Sequence, residues 1–294
     1  MNKVGFIGVG IMGKSMVRNL MKAGIELPIY ARTKSKVEDV ISEGAQFHES
    51  IKDCVQDCDA VITIVGFPQD VEEVYFDEGN ILDSAKKGAY LIDMTTTSPQ
   101  IAEKIYEEGT KRGFHVMDAP VTGGDTGAKS GTLSILVGGE KEDYEACMPL
   151  FEAMGTNINY QGKAGCGQHC KLANQIMIAG TLSGVCEALT YAKEQGLDPE
   201  VFMKSVATGA AGSKQLDTFG PKILKDDYAP GFFMKHFIKD MKLALIEANR
   251  KGLSLDVLSM VLANYEELEQ EGYGDLGTQA LMKFYDEEHR NTEE

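Results

Sequence analysis

The sequence predicts an α/β protein in two parts: an open, mainly parallel, doubly wound sheet, then an all-α domain joined through a long inter-domain helix. Three observations predict it. Short apolar runs alternate with helix-like stretches from Lys3 to about Tyr160. A glycine-rich turn stands between the first apolar run and the first helical stretch. After about Gly162 the strand pattern vanishes while helical periodicity continues. A chain of 294 residues exceeds one ordinary core. Residues 1–162 are therefore expected to form one domain and 163–294 a second.

The elements follow in order. Val4–Gly8, Leu27–Tyr30, Ala60–Val65, Tyr90–Asp93, His115–Asp118 and Thr132–Val137 read as strands. Met12–Lys22, Lys34–Glu43, Gln69–Tyr75 and Gln100–Arg112 read as helices between them, with Ser98-Pro99 as an N-cap and first-turn pair. Gly167–Gln195 is a long run of helix formers that would extend roughly 40 Å, enough to cross between domains. Further helices are expected at Pro199–Thr208, Ile238–Lys251, Ser254–Glu271 and Thr278–Asp286, and the polar tail Asp286–Glu294 is expected to fray.

Composition excludes several classes. Hydrophobic content of 43% and charged content of 25% are those of an ordinary soluble globular chain. No apolar run approaches the roughly 18 residues of a membrane span, and the glycines of the first segment make it a poor signal peptide. A cytoplasmic protein is expected. The net charge of −16 repels phosphate backbones and argues against nucleic acid. Cys54, Cys58, Cys147, Cys166, Cys170 and Cys186 are expected to stay reduced, and their spacing, with only His169 nearby, argues against a metal site.

Gly8-Val9-Gly10-Ile11-Met12-Gly13 is a G-x-G-x-x-G that ends the first strand and opens a helix. Gly8 permits the tight turn, Gly10 admits a pyrophosphate to the backbone, and Gly13 lets helix and sheet pack closely. The amides that open the helix, with Ile11 and Met12, are placed for an anion. The second strand runs into Ala31-Arg32-Thr33-Lys34-Ser35-Lys36, where an NAD site usually carries an acid. Arg32, Thr33 and Lys36 suit a 2′-phosphate instead, so NADP is the expected cofactor and NAD the alternative.

Three later segments look chemical rather than architectural. Asp118-Ala119-Pro120-Val121-Thr122-Gly123-Gly124 ends a strand in a glycine-rich turn, and the amides of Thr122, Gly123 and Gly124 can form a nest for a carboxylate. In Gly165-Cys166-Gly167-Gln168-His169-Cys170-Lys171-Leu172-Ala173-Asn174, Lys171 and Asn174 share a helix face at the opening of an apolar helix. His236-Phe237-Ile238-Lys239-Asp240 places another lysine at an expected helix start.

Together these segments resemble the β-hydroxyacid dehydrogenase family: GFIGVGIMG, DMTT, DAPVTGGDTGAKSGTL, GCGQHCKLANQ and FIKD occur in order over nearly the whole chain. Cys166, where serine or alanine is usual, is the departure. The resemblance implies a Rossmann domain followed by an all-α domain, often in homodimers or homotetramers. It implies that Lys171 is the catalytic lysine, that Asn174 binds substrate, and that Thr122, Gly123 and Gly124 grip its carboxylate. Lys239, with Asp240 beside it, would lie close to nicotinamide and substrate, and Thr96 and the Val65-Gly66 turn would touch cofactor.

The expected reaction is hydride transfer between a nicotinamide dinucleotide and a small hydroxy acid or aldehyde acid. Lys171 would serve as general acid in reduction and general base in oxidation. Free lysine titrates near about 10.4, so the site must lower it. His169 is a rival acid–base group but faces elsewhere on the helix. An NADP-type site points to a semialdehyde reductase rather than an NAD-dependent 3-hydroxyisobutyrate dehydrogenase. A catalytically silent NADP-binding scaffold or sensor is the alternative of another class. Substrate selection is expected around Ser213, Phe232 and Phe233.

Overall fold

Val4–Ile7 is buried at every position, which explains an apolar run without alternation: a parallel strand covered on both faces needs no polar side. In the computed structural model, which describes residues 1–286, it is β1 of a nine-stranded sheet. The others are β2 (Pro28–Tyr30), β3 (Gln46–Phe47), β4 (Ala60–Thr63), β5 (Tyr90–Asp93), β6 (His115–Asp118), β7 (Val121–Thr122), β8 (Leu133–Gly139) and β9 (Gly155–Gly162). Their order is β3-β2-β1-β4-β5-β6-β8-β7, with β9 on β8. The first six are all parallel. β8 runs antiparallel to β6 and β7 and parallel to β9. The order reverses between β1 and β4, and the crevice beyond the strand ends at such a reversal is where dinucleotides bind.

Successive strand residues feed opposite faces. Phe6, Ile29, Ile62 and Ile92 pack with Met16, Val17, Leu20, Phe151 and Met154 on one side. Ile7, Val61, Leu91 and Val116 pack with Val71, Val74, Tyr75 and Ile105 on the other. The chain divides into two compact units, Met1–Lys171 and the remainder from Leu172. The division falls inside the helix Cys166–Glu194.

The helical unit has its own core. Leu182, Val185 and Leu189 pack with Phe237, Met241 and Ala244 of the helix Met234–Arg250 and with Leu258, Val261 and Tyr265 of the helix Asp256–Gln270. Phe237 and Tyr265 meet edge to face at 5.4 Å between ring centres. The Tyr265 hydroxyl donates to the carbonyl of Thr278 at 2.7 Å.

Several elements differ from expectation. The helix expected at Lys34–Glu43 is a short 3-10 turn, Lys34–Lys36, followed by the helix Glu38–Ser42. The short elements Gln46–Phe47, Ile51–Val55, Ile81–Ser84, Lys141–Ala146 and Met148–Met154, and the strand Gly155–Gly162, carry too little periodicity to read in sequence. Lys214–Ile223 is helical despite an internal proline, Pro221, and Met234–Arg250 begins four residues before the expected Ile238. Lys239 therefore stands in its second turn rather than at its start. Most of the tail expected to fray lies outside the described residues.

The membrane-span expectation needs correction. The 29-residue helix Cys166–Glu194 contains an 18-residue window of mean hydropathy 1.2, enough to cross a membrane by length and composition. Its apolar residues Leu182, Cys186 and Leu189 are instead enclosed by protein. Leu182→Ala should therefore cost about 2–5 kcal/mol by leaving a cavity, read as a lower urea midpoint for the helical unit. Loss of under about 0.5 kcal/mol would place that side chain outside a packed core.

Candidate active site

The crevice at the sheet reversal is built by glycine. Gly8 has φ +96°, and a Cβ there would collide with the carbonyl oxygen of Ile64 in the loop after β4. A Cβ on Gly13 would strike the carbonyl oxygen of Gly8. Gly10, the N-cap of the helix Ile11–Lys22, has open space where its Cβ would stand. No acid occupies the first turn of that helix. Ile11 is 48% exposed and Met12 half-buried. An open approach to the first amides of a helix, without competing carboxylate, fits a pyrophosphate.

The next loops are tied together by buried polar groups. Thr95 Oγ1 accepts from the Val65 amide at 3.0 Å, and the Thr95 amide donates to Asp93 Oδ1 at 3.1 Å. Thr63 Oγ1 donates to the same Asp93 oxygen at 2.8 Å. Gln168 closes the loop from the other side: its Oε1 accepts from the Thr97 amide at 3.0 Å and its Nε2 donates to the Thr95 carbonyl at 2.7 Å. Thr96, half-buried, is held between two anchored neighbours, and Gly66 follows the Val65 contact.

Asp118, at the end of β6, organises the start of the long helix. Its Oδ1 accepts from the Gly165 amide and its Oδ2 from the Gln168 amide, both at 2.8 Å. Cβ atoms on Gly138 or Gly167 would crowd this carboxylate, which explains glycine at both positions. Burial raises the Asp118 pKa, and these backbone hydrogen bonds oppose that shift. One turn beyond Gln168 stands Lys171, 7% exposed.

Thr122 is in register with Ser134 in the antiparallel β7–β8 ladder. Gly123 (φ +132°) and Gly124 (φ +64°) then reverse the chain into the helix Gly124–Ser130. Both glycines are exposed, and nothing stands within reach of a Cβ on Gly124. The segment read in sequence as three successive free amides is thus a strand end followed by a glycine turn.

In the basic turn, Arg32 is 60% exposed and meets two acids that the local sequence does not contain. Its Nη2 lies 2.6 Å from Asp70 and 2.9 Å from Glu73, both on the helix Pro68–Phe76. Asp70 is the main cause of a raised Arg32 pKa. Lys34 faces Glu49 at 3.7 Å, while Thr33 stands at the N-cap position of the 3-10 turn that contains Lys36, its side chain making no capping hydrogen bond.

Within the helical unit, Asn174 Nδ2 donates to Gln175 Oε1 at 2.8 Å, and Gln175 Nε2 donates to Asp240 Oδ2 at 2.7 Å. Lys239 Nζ lies 3.0 Å from Asp240 Oδ1. The structure thus joins Asn174 and Lys239 through two buried groups, Asp240, which sequence reasoning gave only as the neighbour of Lys239, and Gln175, to which it gave no role. Ser213 caps the helix Lys214–Ile223, its Oγ accepting from the Leu216 amide at 3.1 Å. Phe232 and Phe233 gather round His236, with ring centres 6.4 and 5.8 Å away. Asp93, Asp118 and Gln168 were missed as a network. The available signal was a carboxylate closing each of two consecutive apolar strands.

A parallel sheet with an anion cradle at its reversal, followed by a helical unit, defines a nicotinamide-dinucleotide oxidoreductase. Residues 3–162 match the NAD binding domain of 6-phosphogluconate dehydrogenase, and residues 165–285 match the NAD-binding domain of NADP-dependent 3-hydroxyisobutyrate dehydrogenase. The chain is 49% identical over 282 residues to the uncharacterized oxidoreductase YkwC of Bacillus subtilis, covering 96% of this chain and 98% of that one. It is 38% identical to the 2-hydroxy-3-oxopropionate reductase of Escherichia coli, covering 86% of each. A solved 3-hydroxyisobutyrate dehydrogenase of Mycobacterium tuberculosis with L-serine superposes with a TM-score of 0.88 at 26% identity, over 96% of this chain and 98% of that one. The chain belongs to the β-hydroxyacid dehydrogenase family and is an NAD(P)-dependent oxidoreductase acting on CH–OH donors.

Full burial pushes the Asp93 carboxyl up to about 6, against the hydrogen bonds from Thr95 and Thr63. A folded pKa above the unfolded value, about 3.9, means that the stability gained by holding the proton is complete below the unfolded pKa. It is lost as pH rises through about 6, in total on the order of 3 kcal/mol. Raising the pH from about 4.5 to about 7.5 should therefore lower the wild-type Tm relative to Asp93→Asn. A Tm gap independent of pH would show that Asp93 does not titrate there.

Proposed function

We propose that this enzyme reduces a small aldehyde acid to its hydroxy acid with NADPH, as a semialdehyde reductase. The observation that carries the reading is Lys171, enclosed one turn after a buried glutamine that also anchors the Thr95–Thr97 loop. A lysine at that place stands beside the loop that the glutamine holds, where it can exchange a proton with a bound substrate. Bound nicotinamide supplies or accepts the hydride. Lys171 delivers the proton to the nascent alkoxide in reduction and removes it from the hydroxyl in oxidation. Gly123 and Gly124, with Thr122, hold the substrate carboxylate, while Asn174 and Lys239 contact the remainder. Ile11, Met12, Val65, Gly66 and Thr96 line the cofactor.

The relatives support a small-acid substrate, since the one from Escherichia coli is named a 2-hydroxy-3-oxopropionate reductase. For the cofactor, Arg32 supplies a guanidinium at the turn after β2, with Thr33 and Lys36 beside it. The contacts of Arg32 with Asp70 and Glu73 favour a second reading, an NAD-dependent 3-hydroxyisobutyrate dehydrogenase, because a 2′-phosphate must compete with two carboxylates. Six free cysteines suit a cytosolic setting. Exposed Met177, Val201, Val257 and Met260 on the helical unit suit a homodimer or homotetramer. Residues 1–162 are read as the cofactor domain and 163–294 as the substrate domain.

Assay of NADPH and NADH oxidation against a panel of small aldehyde acids tests the reading. Lys171→Ala should lose at least about a hundredfold in kcat while cofactor affinity survives. Wild-type turnover in that variant removes Lys171 from the chemistry. Cofactor binding without turnover of any acid by the wild type would support a silent scaffold. Arg32→Ala should raise the KM for NADPH about tenfold and leave that for NADH within about twofold. An equal effect on both cofactors would transfer preference to NAD.

A further inference from the structure

Asn174 carries an amide, which has one acceptor end and one donor end, and which end meets the ligand decides what it recognises. The side chains behind it leave one arrangement. Asp240 is wholly buried on the helix Met234–Arg250, and Lys239 Nζ, 3.0 Å away, matches its charge. A carboxylate only accepts hydrogen bonds, so the Gln175 group 2.7 Å from Asp240 Oδ2 is its Nε2 donor. Gln175 is 1% exposed, and its other end, Oε1, is thereby directed at Asn174. The Asn174 group 2.8 Å away is its Nδ2, and its Oδ1 is left facing away from Gln175. A reversed Asn174 would set two carbonyl oxygens against each other in a buried place. Reversing Gln175 as well would set an oxygen against the carboxylate.

We propose that Asp240, acting through Gln175, fixes the amide of Asn174 with its oxygen offered to the ligand, so that this position accepts from a substrate hydroxyl. The inference rests on the reading of Asn174 as a substrate contact. It assigns Gln175 and Asp240 as positioning residues. The substrate class it selects is an acid with a hydroxyl group beside its carboxylate. A plain dicarboxylate would leave the Asn174 oxygen without a donor, and an unpaired acceptor at a half-buried site lowers affinity.

Competitive inhibition by malonate and by hydroxymalonate, which differ by one hydroxyl at equal charge, tests this. Wild type should bind hydroxymalonate about tenfold tighter than malonate or better. In Gln175→Met, which keeps Asp240 and Lys239 together, and in Asp240→Asn, which allows the amides to reverse, the ratio should fall to about one, a selectivity that a merely structural defect would leave unchanged. Equal or absent binding of the two acids by wild type overturns the proposal, whether or not the variants fold. A ratio that persists in Gln175→Met overturns it as well and gives any effect of Asp240→Asn to Lys239. Failure of the underlying functional reading is recognised separately, as absence of Lys171-dependent turnover in the wild type.

Discussion

The buried carboxylate of Asp118 is the constraint on which the loops at the end of β6 and the start of the long helix depend. An uncompensated carboxylate there would be costly, and the first amides of the helix Cys166–Glu194 supply what it needs: two N–H donors and the positive end of a helix. The same contact fixes where the helix begins. Because glycine at 138 and 167 lets backbone approach the carboxylate, the helix starts against the ends of β6 and β8. Gln168 then reaches the Thr95–Thr97 loop with both ends of its amide. The position of Lys171, one turn on, is therefore set by the same residues that hold a loop of the cofactor crevice.

An acidic chain that takes anionic ligands needs local exceptions to its own field. At β1 the exception is made without side-chain charge: free helix amides, an open Gly10 and no acid in the first turn. At the turn after β2 the positive charge of Arg32 is met by that acidic background, through Asp70 and Glu73. The first arrangement depends on backbone and suits any dinucleotide. The second depends on exposed side chains that exchange partners at low cost, which makes it the natural place for cofactor preference to vary.

Polar groups in the helical unit follow a different logic. Asn174, Gln175, Asp240 and Lys239 form a chain in which each member limits the orientation of the next. A chain of this kind favours one arrangement of its amides, because reversing either sets two acceptors against each other. Ser213, by contrast, has its hydroxyl engaged in capping a helix. Its place in the architecture is accounted for before any ligand is considered.

Much of the fold is legible in local sequence because burial on both faces leaves an unmistakable apolar run, as in β1, β5 and β6, and because Gly8, Gly10 and Gly13 have few other reasons to occur at that spacing. Lys214–Ile223 was not legible, since Pro221 argues against the helix that packing maintains. Neither were β3 or β9, which owe their existence to a neighbouring strand rather than to their own pattern. The motifs of the family, with a lysine, an asparagine and a glycine turn in order, were also legible. Sequence alone determined the fold class, the anion cradle and the family. Tertiary structure alone decided which acids Arg32 meets, what Asp118 and Gln168 hold, and that Gln175 reaches Asp240. The bonds that decide them, from Arg32 to Asp70, from Asp118 and Gln168, and from Gln175 to Asp240, join residues 38 to 73 positions apart, and no local periodicity encodes such distances.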